Sequence, residues 1–180
     1  VASEDIASWD DLIGKELTSF GMGLTPDLLF NYLLNENLGD KKDQITINYV
    51  NAGSEVAPLI ISGKASIAVL PEPLVSVVMS KNENLRIAFD LQEEYAKISE
   101  NNNLFPQASL LVNNDLTENH KEFVEKFLQE YEVASVWINE NPMEAGAYYE
   151  SLELGLPKGI VAKGLPRMNT TFVGSKNAMP

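Results

Sequence analysis

Cysteine is absent, and histidine occurs once, at His120. The first absence excludes thiol catalysis, disulfides and cysteine-ligated metals. The second leaves imidazole chemistry one candidate, at the start of an amphipathic helix, where a solvated side chain is the ordinary state. Basic residues are scarce too: 13 Lys and Arg stand against 26 Asp and Glu, a formal charge of −13. Such a field repels nucleic acid and anionic membranes at long range, so neither is expected as a partner. No apolar run is long enough to cross a bilayer. The opening Val-Ala-Ser-Glu-Asp carries neither a basic n-region nor an apolar h-region, and is expected to belong to a mature or truncated product. Acidic pairs such as Asp10-Asp11 and Glu93-Glu94 are adjacent rather than spaced to converge, so no metal site is expected. Nor does any serine or threonine have a sequence-marked base beside it.

What is present is a globular composition, 44% hydrophobic and 22% charged in 180 residues, enough for one large domain or two lobes. The most structured stretch runs from Gly14 to Leu34. Residues 17–20 are a short β-favouring run, and from Leu28 the apolar positions Leu28, Leu29, Tyr32 and Leu33 recur at helical spacing. Between them, Gly21 and Gly23 permit tight turns, Thr25 reads as an N-cap, Pro26 suits the first helical position and Asp27 the first turn. Strand, glycine loop and helix follow one another. The Gly-x-Gly lacks the third glycine or the Lys-Ser/Thr of the nucleotide-binding patterns.

The unit repeats. Residues 1–11 read as an acidic linker ending in one helical turn. Residues 45–50 alternate as a strand, and Ser54 reads as the N-cap of a helix through Ile61. Residues 65–70 form an apolar strand running into Pro71-Glu-Pro73, with a helix from Leu74, and 86–91 form a fourth strand. A helix is expected over 92–100, a break at 101–103 and a fifth strand over 107–112. Thereafter the chain reads as helical: Asn119-x-x-Glu122 resembles a capping box. Phe123, Val124, Phe127, Leu128 and Tyr131 then begin one apolar face of a long helix, and further helices start at Pro142 and near Lys158. Alternating strands and helices call for an open α/β sheet with right-handed crossovers.

In such a sheet, ligands bind beyond the carboxyl ends of the strands. Those ends are the loops 21–25, 51–54 and 71–73. They offer backbone N–H groups, the hydroxyls of Thr25 and Ser54, the Asn51 amide and the Glu72 carboxylate. Glu72, held between two prolines, is either a fixed acceptor for a ligand amine or hydroxyl, a hinge contact, or a cap for the helix from Leu74.

The order Asp10-Asp-Leu-Ile-Gly-Lys15, Gly21-x-Gly-x-Thr-Pro-Asp27, Gly53-Ser-Glu-Val56, Gly63-Lys-Ala-x-Ile-Ala-Val-Leu-Pro-Glu-Pro73, Asn84-Leu-Arg and Pro106-Gln-Ala resembles the solute-binding proteins of ABC importers. Within them it resembles the nitrate, sulfonate, taurine and thiamine-pyrimidine-precursor group. The joint occurrence of the glycine loop and the Leu-Pro-Glu-Pro turn is its most specific element. The resemblance implies a type II periplasmic-binding-protein fold. A three-layer α/β/α lobe over 9–103 would be the second ligand-binding lobe. Residues 104–180 would be a returning hinge strand and C-terminal helices of a first lobe whose opening strands are expected to be missing. That missing segment would pack on 104–180, and without it the apolar face of the long helix stays partly exposed.

The same resemblance implies ligand contacts at Gly21, Met22, Gly23, Leu24, Thr25 and Glu72, with Gln107 at the returning hinge and Ser54 as a weaker candidate. Asn51 joins them as part of its loop. It implies a non-enzymatic receptor without cofactor that closes on a small solute and presents it to a membrane permease. Location would be extracytoplasmic, in the periplasm or lipid-anchored through a cysteine outside this segment. Two alternatives share the fold: an effector domain of a transcription regulator, and a thiamine-pyrimidine synthase-like enzyme, against which one His and no Cys argue. Ligand charge stays open, since glycine-loop N–H groups favour an anion and Glu72 favours a nitrogen group.

Overall fold

Two β-rich stretches meet side by side. Strands β1 (Glu16–Phe20) and β2 (Thr46–Val50) form a parallel ladder in the register Glu16↔Thr46 to Phe20↔Val50. The computed structural model describes residues 1–99, 105–175 and 177. Its chain divides into two units, Val1–Ala108 and Ser109–Pro180.

In the first unit, the other edge of β1 is also paired: Thr18 N–H donates to the Ile67 carbonyl at 2.9 Å, and Val69 N–H donates to the Thr18 carbonyl at 2.9 Å. Residues 66–68 then pair antiparallel with residues 1–3, through Ser3 N–H to Ser66 (2.9 Å) and Ala68 N–H to Val1 (2.8 Å). Ala2 in turn exchanges two bonds of 2.9 Å with Arg86. The spatial order is therefore β2, β1, 67–69, 1–3, 86. Only the segment 1–3 runs against the others.

Side chains alternate across this sheet and feed two cores. Leu17 and Ile67 face a cluster with Trp9, Leu12, Leu29, Phe30, Leu33 and Leu34. Ala68, Phe20 and Val50 face the other, with Val56, Ile60 and Val78. Helix α1 (Thr25–Leu38) and, after residue 86, α4 (Leu91–Ile98) cover the first face; α2 (Gly53–Ile61) and α3 (Leu74–Lys81) cover the second. The result is three layers, α/β/α, as expected.

The linker expected at the amino end is instead part of the sheet. Ala2 has no exposed surface, and Ile6, Trp9 and Leu12 are core residues. The third and fourth expected strands occur only as bridged positions, at Ile67 and Ala68 and at Arg86. Among the described residues no ladder forms over 107–112, where residues 107–111 are all exposed; a strand-like composition makes a strand only where a partner strand is available. The expected helix 92–100 is α4, ending at Ile98. Glu100 and the expected break at 101–103 lie outside the described residues.

The second unit holds α5 (Asn114–Asn119), α6 (Lys121–Glu140), α7 (Pro142–Ser151) and α8 (Lys158–Met168). The expected capping box at Asn119 does not form. Asn119 ends α5 instead and donates to Asp115, and exposed His120 stands between α5 and α6. Helices α7 and α8 meet closely enough that a Cβ on Gly146 would collide with the Lys158 carbonyl. On α6, Phe123, Phe127 and Tyr131 form an aromatic row with centroids 6.4 and 6.0 Å apart, and all three are exposed.

The core of the first unit rests on α1. Leu33→Ala, at a position with 0% exposure, is expected to cost about 2–5 kcal/mol. The equivalent change at exposed Leu28 should cost no more than about 0.5 kcal/mol. Urea unfolding of both variants checks the contrast.

Candidate functional site

Three helices begin at the carboxyl ends of three neighbouring strands, and the connecting loops meet. Gly53 marks the junction: a Cβ there would lie 3.0 Å from the Leu74 side chain, 3.6 Å from Pro71 and 3.8 Å from Phe20. Pro71 and Leu74 belong to the connection into α3, Phe20 ends β1 where the glycine loop begins, and Gly53 itself opens α2, so the loops 21–25, 51–54 and 71–73 share one end of the sheet. The first loop is also tied to β2, since Gly21 N–H donates to the Val50 carbonyl at 3.2 Å.

The glycine loop is a tight turn. Gly21 and Gly23 have φ of +61° and +78°, values that favour glycine, and Leu24 N–H closes the turn on the Gly21 carbonyl at 2.8 Å. Met22 and Leu24 are 70% and 60% exposed, an apolar rim beside the loop. Thr25 is not the N-cap. The cap position is Leu24, with Thr25 and Pro26 already in the helix and no capping side-chain bond. Ser54 likewise lies inside α2, whose cap position is Ala52. The helices start one residue earlier than side-chain preference indicates at α1 and two residues earlier at α2. Ser54 and Asn51 are both exposed at the loop surface.

Glu72 does what its capping alternative describes: Ser76 N–H donates to its carboxylate at 3.1 Å, in the first turn of α3. Gln107 is exposed, two residues beyond Phe105, whose N–H and carbonyl are both bonded to the Gln92 amide on α4 (2.7 and 2.6 Å). Among the described residues no hydrogen bond joins Gln107 to the three loops.

Asp27, which the sequence marks only as a first-turn acid, has a larger part in the structure. Its side chain is buried, and three donors converge on it: Gly23 N–H at 2.8 Å, the Asn31 amide at 2.7 Å and the Tyr49 hydroxyl at 2.6 Å. An ionised carboxylate offers acceptors alone, and all three of these groups are donors. Asp27 thus pins the glycine loop from below, with Asn31 from the same helix and Tyr49 from β2. The i, i+4 spacing along α1 puts Asp27 and Asn31 on one face, a signal the sequence carries; the part of Tyr49 depends on the β1–β2 register. Burial first, and then the bond to Asp27, push the Tyr49 phenol above its ordinary 10.0. Among the described residues no group of His, Cys, Asp and Glu is arranged to hold a metal.

A mostly parallel sheet interrupted by one antiparallel strand, covered on both faces and with its loops gathered at one end, defines an α/β fold of the periplasmic-binding-protein kind. Residues 1–145 match the family described as NMT1/THI5 like, and the chain belongs to that family. An ABC transporter structure from Parabacteroides distasonis shares the fold, with a TM-score of 0.75 at 24% identity over 92% of this chain and 55% of that one. This chain spans about half the length of that protein. No curated protein matches it.

The Tyr49–Asp27 bond has a pH signature. Because the folded state raises the Tyr49 value, its contribution to stability is complete below the ordinary value and is lost as pH rises through the raised one. Tyr49→Phe is expected to cost about 1–3 kcal/mol at neutral pH. Urea unfolding between pH 8 and 11 should show the gap between variant and parent narrowing at the alkaline end.

Proposed function

We propose that the chain is the solute-binding part of an ABC importer, holding a small organic or anionic solute in an interlobe cleft for delivery to a membrane permease. The observation that carries this is the meeting of three strand-end loops around Gly53, in a chain of this family. The solute would contact Gly21, Met22, Gly23, Leu24 and Thr25 of the first loop, Asn51 and Ser54 of the second, and Glu72 of the third, with Gln107 on the returning hinge. Residues 9–103, together with the opening segment 1–8 that joins their sheet and core, would form the second lobe and 104–180 the chain's return to a first lobe. The exposed aromatic row of α6 supports that assignment, because an apolar face of this extent ordinarily has a partner. The protein would be a receptor rather than an enzyme, working outside the cytoplasm by closure of lobes around the ligand.

A ligand that binds only the native state raises its stability, by about 2.7 kcal/mol at a hundredfold excess over Kd. The test is thermal unfolding of the protein, expressed from its whole reading frame, against alkylsulfonates, taurine, nitrate, bicarbonate and aminopyrimidines. At least one should raise Tm in a concentration-dependent way, and Glu72→Ala should diminish the shift. Flat responses across the panel would overturn the receptor assignment.

A further inference from the structure

The loops of the proposed site would be expected to welcome an anion, because helix N-termini carry partial positive charge and unpaired N–H groups. The structure fills that role internally. At α1, the buried carboxylate of Asp27 accepts from Gly23 N–H (2.8 Å), and Pro26 has no N–H to offer. At α2, Glu55 sits in the first turn. At α3, Glu72 accepts from Ser76 N–H at 3.1 Å. Across 20–27, 50–56 and 70–76 there is no lysine or arginine. Every helix that opens onto the site therefore carries its own carboxylate, and no side chain of these loops supplies a compensating cation.

We propose that Asp27 is a specificity-determining residue, the resident anion of the glycine loop, which fixes the loop's shape and turns anionic groups away from the N-terminus of α1. This deepens the receptor assignment and rests on it: the part of a solute that meets this loop is uncharged or cationic. Asp27 differs from an ordinary helix-stabilising acid in two respects. It is only 5% exposed, so its field is weakly screened. It also bonds to the loop itself rather than to the helix alone, so loop geometry and loop charge are set by the same two oxygen atoms.

The test needs no knowledge of the natural solute, so it can fail while the receptor assignment stands, and the reverse. Methanesulfonate is titrated into the protein and the backbone amide resonances of residues 21–25 are followed, in the parent, in Asp27→Asn and in Tyr49→Phe. The parent is expected to show no saturable shift of these amides and slow exchange at Gly23. In Asp27→Asn, exchange at Gly23 should accelerate more than tenfold and the loop amides should gain a saturable response to the anion. Tyr49→Phe keeps the carboxylate and should exclude methanesulfonate as the parent does. A saturable loop response in the parent overturns the proposal and can be read even if Asp27→Asn fails to fold. It is equally overturned if folded Asp27→Asn gains no anion response, or if Tyr49→Phe gains the same one, which would make loosening rather than charge the cause.

Discussion

The sheet of the first unit depends on a three-residue strand at its very start. Ala2 is hydrogen-bonded to Arg86, while its neighbours Val1 and Ser3 pair with the segment 66–68. Without it, Ser66, Ala68 and Arg86 would lose these backbone partners, and at buried Ala68 an unpaired backbone group is costly. The strand must also be narrow. Ala2 has no exposed surface at all, which fits a methyl side chain closed in between layers. A direct consequence is that the strands after residue 65 are held in place by residues at the other end of the unit's sequence. The loop 71–73 therefore follows a segment held on one side by β1 and on the other by residues 1–3.

That dependence explains which parts of the architecture were legible in the residues. Strands β1 and β2 and the helices α1 to α3 announce themselves through periods of 2 and 3.6, and each buries a face close by in sequence. The segment 1–3 does not, since three residues carry no period and the four acidic side chains that follow before Leu12, Glu4, Asp5, Asp10 and Asp11, read as solvated. The opposite error occurs at 107–112, where Gln-Ala-Ser-Leu-Leu-Val has strand composition but finds no ladder. Pairing is a property of two segments, and composition describes one.

The site divides in the same way. Its glycines, its prolines and its position at the strand ends follow from local rules, and the meeting of the loops around Gly53 bears out the geometry those rules imply. Thr25 lies one position and Ser54 two positions beyond the actual caps, because capping preference is statistical, whereas the glycine turn at 21–24 is closed by its own backbone bond. The hub at Asp27 was only half visible. Asn31 lies four residues further along the same helix, but Tyr49 reaches the carboxylate because β2 lies beside β1, and no local pattern records that adjacency.

Charge is sorted along the strand direction in the first unit. Lys15 precedes β1, Lys41 and Lys42 precede β2, Lys64 precedes the third extended segment, and Lys81 closes α3. These positions lie at the amino ends of strands or the carboxyl ends of helices, where cations complement the helix dipole; Asp27, Glu55 and Glu72 occupy the opposite ends. The acidic opening segment is anchored at the basic end, through Lys15 to Glu4 at 2.6 Å, Lys41 to Asp10 at 3.1 Å and Arg86 to Asp5 at 2.6 Å. Each of these pairs is exposed, and such pairs contribute only about 0–1 kcal/mol. Their effect is one of placement rather than strength: they match an acidic segment to the end of the sheet where lysines and arginine already stand. The net charge of −13 is thus unevenly distributed along the strand direction: the loops 20–27, 50–56 and 70–76 hold three helix-starting carboxylates and no lysine or arginine.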